Sequence, residues 1–551
     1  MKTKRVSIAV FFILLVNCGG GNSSIVANGN PAGAPAHTTE KRARLVVAIV
    51  YDQFPAWAYA RYRSLLSPQG ALRRARQTGA DHVVRYAYAG TYTAAGHTAI
   101  YTGVPPAQSG VGSNRVWTPK RGNRSVVDDG KYKEFGKANA YASPTVVKVD
   151  TVADALRAAY GDKVKIVSLS LKDRGAVLPA GRKPDLVLWY EKKLGTMTTS
   201  AYYGDKVPAW VSSWLKQHPI SNYFKDWTPG DPATLKQMLG PDDAPGEGNY
   251  RGFGTTFPHN PVTTMDPKRT FRLMPDSSYY LLDLARAAVA KLDMGKDDVP
   301  DLLLLSLSST DYVGHAFGGQ SWEYVDHLVK VDAAVGKFLA ELEKHTDVAV
   351  LLTSDHGAAP LPERVKDKYP NAGRIFPDEL PGKLNAVVSK VVGKGKWVGA
   401  YVPPFVYLNR AARAPDKRDK VIAAVIAALD ERKEVYAAYE TSKARTWAHD
   451  KDPIKRAVAR AIPATGIHGA VFLVPAPGSV TDEEFPKGKG TSHGTPWEYD
   501  RRVEAVFAGP GVKHDVTTAP LHENRVAATL CKLLGIAPPA QLKGVAPLPG
   551  L

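Results

Sequence analysis

Four short apolar runs, each leading into a charged side chain, constrain this 551-residue chain more than any other feature. Residues 44–51 read RLVVAIVY and stop at Asp52, and 164–170 read VKIVSLS and lead to Lys172 and Arg174. Residues 301–309 read DLLLLSLSS and reach Asp311, and 348–354 read VAVLLTS and reach Asp355. Short runs that are apolar at successive positions suit strands buried on both faces. Helical patterns lie between them, at TVADALRAAYG, at SSYYLLDLARAAVAKL and over 323–345. In the last, Leu328, Val331, Val335, Leu339 and Leu342 recur at three- and four-residue steps. Strands alternating with helices predict an α/β fold, a mainly parallel sheet sandwiched by helices. In such sheets, residues just past the strand C-termini gather at the edge where ligands bind.

The residues with chemistry to offer spread from Asp52 to His493, so one scaffold must span that distance. We therefore read residues 44–545 as one domain with two inserted cap regions. The first, at about 191–276, sets aromatics among Gly and Pro (DWTPGDPATLKQMLGPDDAPGEGNYRGFGTTFPHNP) and suits a loop-rich cap. The second, at about 358–490, has strands and helices of its own (FVYL, KVIAAVIAALDERKEVYAAYE, AVFLVP) and suits a second α/β lobe.

Residues 1–27 carry the marks of an export signal: Lys2, Lys4 and Arg5, an apolar run from Val6 to Val16, then small and polar residues. The run is well short of the roughly 20 residues that cross a bilayer as a helix. Two processing outcomes fit. Lipoprotein cleavage before Cys18 would leave a lipid anchor there, although Asn17 stands where such sites usually carry Gly, Ala or Ser; ordinary cleavage near Ala27 would not. Residues 28–43 read as a linker. The expected location is the bacterial periplasm, or the outer membrane or cell surface by way of the anchor. Cys531 is the one other cysteine, so the exported protein has no internal disulfide to rely on. The net charge of +19 favours anions, phosphorylated molecules included. No zinc-finger spacing, basic heptad segment or RNA-binding motif accompanies it, so nucleic-acid binding is not implied.

Candidate chemistry starts in residues 90–114, GTYTAAGHTAIYTGVPPAQSGVGSN, with the hydroxyl of Thr93. A threonine hydroxyl is a poor nucleophile until something strips or polarises its proton. Asp311 and His315, in TDYVGHAFGG, stand four apart and project from one face. They offer an oxygen and a nitrogen that zinc accepts. Asp355 and His356 sit at a strand end in SDHG, where Gly357 lets the backbone turn both toward one point, and His493 lies in GTSHGTPWEYD. Each element alone also fits a turn, a cap or a solvated loop, and His97 can simply brace the turn after Thr93.

Taken together and in this order, Asp52, Thr93, Asp311, His315, Asp355, His356 and His493 resemble the alkaline phosphatase superfamily. The likeness is greatest to the branch of exported bacterial phosphate-irrepressible alkaline phosphatases with a threonine nucleophile, and it runs from residue 44 to about 535. It implies a zinc-dependent alkaline phosphatase, a phosphoric monoester hydrolase that scavenges phosphate. Small-molecule phosphate monoesters would be cleaved through a covalent phosphothreonine at Thr93. The resemblance also implies two Zn2+ per chain, one on Asp311, His315 and His493 and one on Asp52, Asp355 and His356. Asn114, Lys172 and Arg174 match the phosphate-binding residues of the monoesterases. A lysine point charge and an arginine fork, projecting from one side of an extended segment, suit a doubly charged terminal phosphate. Ala95 stands where relatives often carry proline, and SGVGSN departs from the usual approach to Asn114. Two rivals remain: a phosphodiesterase or nucleotide pyrophosphatase on the same metals, and a non-catalytic surface lipoprotein that binds metal or phosphate.

Overall fold

Apolar strands satisfy their backbone polar groups only by pairing with one another, and the four runs do so side by side. In the computed structural model, which describes residues 42–482 and 486–551, they become Val348–Thr353, Leu45–Tyr51, Asp301–Leu307 and Ile166–Ser170. These are adjacent in that order and parallel throughout. Leu186–Glu191 extends the parallel block, and Thr196–Thr198 closes that side antiparallel. On the other side Arg502–Ala508 runs antiparallel to Val348–Thr353, followed by Ala80–Arg85 and Asp515–His522, completing a nine-stranded sheet. The export signal, Cys18 and the linker through Lys41 lie outside the described residues.

The central strand Leu45–Tyr51 feeds two cores, because successive side chains leave opposite faces of a strand. Leu45, Val47, Ile49 and Tyr51 enter one core, with helices Pro275–Lys291 and Trp322–Leu342. Val46, Ala48 and Val50 enter the other, with helices Thr93–Thr102, Val152–Tyr160 and Asn524–Leu533. The sheet is therefore covered on both sides, the arrangement that uninterrupted apolar runs require. Cys531 is buried in the second core as a free thiol.

Within 191–276, helices Ala209–Gln217 and Pro232–Leu239 anchor intervening loops to the first core through Val211, Leu235, Trp227 and Tyr250. Within 358–490, four antiparallel strands order as Val398–Val402, Phe405–Leu408, Val471–Pro475 and Val435–Glu440. Helices Leu380–Val392 and Pro415–Asp430 cover them, with a core of their own that includes Leu384, Val388, Val421 and Val425. Both regions belong to the one compact unit that begins at Lys41.

Candidate active site

The parallel strands deliver their polar ends to one place. Asp52 follows Leu45–Tyr51, Lys172 follows Ile166–Ser170, and Asp355 and His356 follow Val348–Thr353. Asp311 and His315 stand one turn apart on helix Ser309–Phe317, directly after Asp301–Leu307. His493 comes from the loop ahead of Arg502–Ala508. Thr93 opens helix Thr93–Thr102, whose positive end favours negative charge. That helix presses close against the Asp355 segment: a Cβ at Gly96 would lie 2.1 Å from the Asp355 carbonyl oxygen, so glycine is required there.

The distances bring these residues into one cluster. Thr93 Oγ1 is 3.4 Å from His356 Nε2 and 3.3 Å from Lys172 Nζ. The Lys172 ammonium in turn donates to Asp52 Oδ2 at 2.7 Å and to Asp311 Oδ2 at 2.5 Å. His315 Nε2 and His493 Nε2 lie 3.2 and 3.6 Å from Asp311 Oδ1. His356 Nε2 lies 3.5 Å from Asp52 Oδ1 and 3.4 Å from Asp355 Oδ2. Asp52, Thr93, Lys172, Asp311, Asp355, His356 and His493 are all buried.

Whether this cluster suits metal ions can be tested from its own hydrogen bonds. His315, His356 and His493 each turn Nδ1 to a backbone carbonyl, those of Thr491, Gly357 and Thr91, at 2.8 to 2.9 Å. Nδ1 therefore carries a proton in each ring, and wherever the ring is neutral its Nε2 presents a lone pair to the carboxylates. Lone pairs facing carboxylate oxygens at 3.2 to 3.6 Å repel unless a cation lies between them. Asp52 Oδ1 is buried with no hydrogen-bond partner. Two groups of donors are spaced to hold an ion, Asp52–Asp355–His356 and Asp311–His356–His493, with His315 beside Asp311 in the second. Three carboxylates and three imidazoles thus fit two dications of the zinc type.

Electrostatics divide the three rings: at His315 burial works to lower the pKa, but the neighbouring Asp311 carboxylate outweighs it and raises it above the usual histidine value. Burial pushes His356 and His493 below the usual histidine range, which keeps both rings neutral. Burial, reinforced by the Asp355 charge, pushes the Asp52 carboxyl well up. At Lys172 burial works to lower the pKa, but Asp311 and Asp52 outweigh it and keep the ammonium charged.

Lys172 and Arg174 do not project together from an extended segment. The chain turns into helix Asp173–Val177 immediately after Lys172. The Lys172 side chain consequently reaches inward to the carboxylates, while Arg174 faces the cavity outside. Asn114 accepts from the Ala94 N–H at 2.9 Å through Oδ1, which ties it to the first turn of the Thr93 helix. Asn114, Lys172 and Arg174 all line a cavity of about 270 Å3 with Tyr312 and Arg272. Asn114 and Arg174 also border a smaller pocket of about 20 Å3 on the side of Asp311, His315 and His493.

Two further residues matter that sequence alone did not single out as site members. His97 Nδ1 is 3.1 Å from Asp355 Oδ2 and 2.9 Å from the Thr93 carbonyl, and its Nε2 is 2.9 Å from Ser306 Oγ. Gln53 holds two carboxylates at once, Asp355 through its backbone N–H and Asp311 through Nε2, each at 3.2 Å. Its φ of 63° is uncommon for a residue with a side chain. The i, i+4 step from Thr93 to His97 was the one available signal; a lone glutamine after Asp52 carried none.

A buried Asp/His cluster at the C-terminal edge of a parallel sheet, with a threonine at a helix N-terminus, defines an enzyme of the alkaline phosphatase superfamily. The crystal structure of wild-type alkaline phosphatase PafA is similar to this one with a TM-score of 0.82 and 28% sequence identity, covering 93% of this chain and 99% of that one. Residues 46–496 match the family described as type I phosphodiesterase / nucleotide pyrophosphatase, and the chain belongs to that family. It is 31% identical over 516 residues to a Myroides odoratus protein named calcium-transporting ATPase, covering 90% of this chain and 92% of the relative. It is 29% identical to alkaline phosphatase PafA of Elizabethkingia meningoseptica, covering 93% and 95%. The chain thus falls in the phosphate-irrepressible branch of the superfamily and is a phosphatase.

Proposed function

We propose that the chain is an exported, zinc-dependent phosphomonoesterase that acts through a phosphothreonine at Thr93. The observation that carries this reading is the position of Thr93 Oγ1, buried at a helix N-terminus, 3.4 Å from His356 Nε2 and 3.3 Å from Lys172 Nζ. Asp311, His315 and His493 would hold one zinc, and Asp52, Asp355 and His356 the other. When bound, two dications supply positive charge to the entering and leaving oxygens of an in-line phosphoryl displacement.

Thr93 Oγ1 attacks phosphorus, the bond to the ester oxygen breaks, and the departing alcohol takes up the proton the threonine has lost. Water then cleaves the phosphothreonine to release inorganic phosphate and restore the hydroxyl. Lys172 places a charge beside the attacking oxygen, and the N-terminus of the Thr93 helix favours the incoming anion. Arg174 and Asn114 donate from the cavity wall to the remaining phosphoryl oxygens, the arginine by its planar fork. The lining of that cavity by Asn114, Lys172 and Arg174 supports a monoester dianion as substrate. Export rests on the signal-like residues 1–27.

The family description supports diester or pyrophosphate hydrolysis as the second reading. Turnover of a nitrophenyl phosphate monoester against its diester separates the two, and a clear diester preference defeats the monoesterase. Arg174→Ala is expected to lower kcat/KM for the monoester by roughly 100-fold and to spare the diester within about tenfold; equal losses would remove the dianion clamp. Acid-quenched enzyme should yield phosphothreonine at Thr93, absent from Thr93→Ala.

A further inference from the structure

The two strands that deliver Lys172 and Asp311 also deliver a line of serines. Ser170 ends the strand Ile166–Ser170 and stands opposite Ser306 in the neighbouring strand Asp301–Leu307, with Ser308 directly after that strand. All three are buried. A buried hydroxyl needs an acceptor for its hydrogen, and here the hydroxyls serve one another. The Lys172 N–H donates to Ser170 Oγ at 3.0 Å, Ser170 and Ser308 share a hydrogen bond of 3.3 Å, and Ser308 and Ser306 share another of 3.3 Å. Ser306 Oγ then meets His97 Nε2 at 2.9 Å, and His97 Nδ1 faces the Thr93 carbonyl and the Asp355 carboxylate. Both groups facing Nδ1 are acceptors, so Nδ1 donates. With Nε2 accepting, the bonds run from Ser170 to Ser308 to Ser306 to His97, and each hydroxyl donates once and accepts once. The reverse order would bring Ser170 two donors and, among the described residues, no acceptor for its own hydrogen. Gly175, in helix Asp173–Val177 directly after Lys172, closes over the line: a Cβ there would lie 2.5 Å from Ser170 Oγ and 2.9 Å from Ser306 Oγ.

We propose, on the reading of Thr93 as nucleophile, that Ser170, Ser306 and Ser308 are positioning residues whose hydroxyl chain fixes the segment carrying Lys172 against the helix carrying Thr93. Lysine is a point charge on a flexible stem, so its charge stays in one place only if both ends of the stem are held. Asp52 and Asp311 hold the ammonium end of Lys172, and the hydroxyl chain holds its backbone end. At the far end His97 bonds the Thr93 carbonyl, so the chain finishes on the residue whose hydroxyl attacks. Hydrogen bonds in such a buried line polarise one another, and losing one link weakens the rest.

The test is a double-mutant cycle in the intact chain, with Ser170→Ala and Ser306→Ala singly and together, read on a nitrophenyl phosphate monoester. Each single variant should lower kcat roughly tenfold and leave KM within about twofold, the signature of an interaction lost in the transition state. One broken link already opens the chain, so the double variant should stay within about threefold of the less active single variant. Unchanged kcat in both single variants overturns the proposal, and so do losses that multiply to roughly 100-fold, the mark of independent contacts. Hydrogen exchange gives a second reading that needs no turnover. The Lys172 amide, bonded to Ser170 rather than Ser306, should exchange roughly tenfold faster in Ser306→Ala, and exchange unaltered there equally overturns the chain. Ser308→Ala, which breaks the middle link, stands in if Ser306→Ala does not fold. If the unaltered enzyme does not hydrolyse the monoester, the phosphomonoesterase reading fails, and exchange at Lys172 decides the chain by itself.

Discussion

His97 shows how much a single side chain can decide without touching a substrate. Its ring bridges the Thr93 carbonyl, the Asp355 carboxylate and Ser306, so it sets the proposed nucleophile and the proposed metal ligand relative to one another. Groups that orient ligands typically contribute 10- to 100-fold to metal affinity. His97→Ala should therefore weaken zinc retention by about that factor, read as metal content during titration with a chelator. His97→Gln, which restores a polar partner, should recover part of the loss; metal content unaltered in both variants would reduce His97 to packing. Four positions separate Thr93 from His97, which was legible. The partner Asp355 lies 258 residues away by |i−j| from His97 and becomes a neighbour only once the strands pair in register. The direction of Lys172 was equally hidden, because it depends on a helix starting one residue later.

At the scale of elements, Asp332 ties three together. It projects from helix Trp322–Leu342 and accepts through Oδ1 from Tyr51, at the end of the central strand, and from the N–H of Leu72, in the first turn of helix Ala71–Thr78. Burial raises its carboxyl from 3.8 to about 7, with the two hydrogen bonds opposing. Between about pH 4 and 7 the folded protein therefore holds a proton there that the unfolded chain has released. Stability conferred at this site is present at low pH and declines as pH rises through that window, by about 4 kcal/mol in all. Asp332→Asn keeps an oxygen to accept from Tyr51 and Leu72 and cannot ionise. Its urea midpoint, with zinc in excess, should gain on the parent between pH 5 and 8; parallel pH profiles would contradict the assignment. The elements themselves were legible, since continuous apolar runs and a three- and four-residue period leave few alternatives. The polar residue joining them was not, because a lone aspartate on a helix reads as solvated.

Among the described residues, three carboxylates and three imidazoles gather in one cluster, where the Lys172 ammonium bonds both Asp52 and Asp311. Cations that bind this cluster bind the folded chain and not the unfolded one, so they stabilise it by mass action. Chelation should lower the thermal midpoint by roughly 10 °C, and zinc should restore it. A midpoint indifferent to chelator would mean that the cluster carries no metal of consequence. Order along the chain determined much of this protein by itself: which runs become buried strands, which polar residues stand at their ends, and that these ends share one edge of a parallel sheet. Those are consequences of local periodicity and of the hand and direction of βαβ connections. Tertiary structure alone decided the inward turn of Lys172, the bridge through His97, the double grip of Gln53 and the hydroxyl chain from Lys172 to His97. Each depends on distances between segments up to hundreds of residues apart, which side-chain spacing along a chain does not encode.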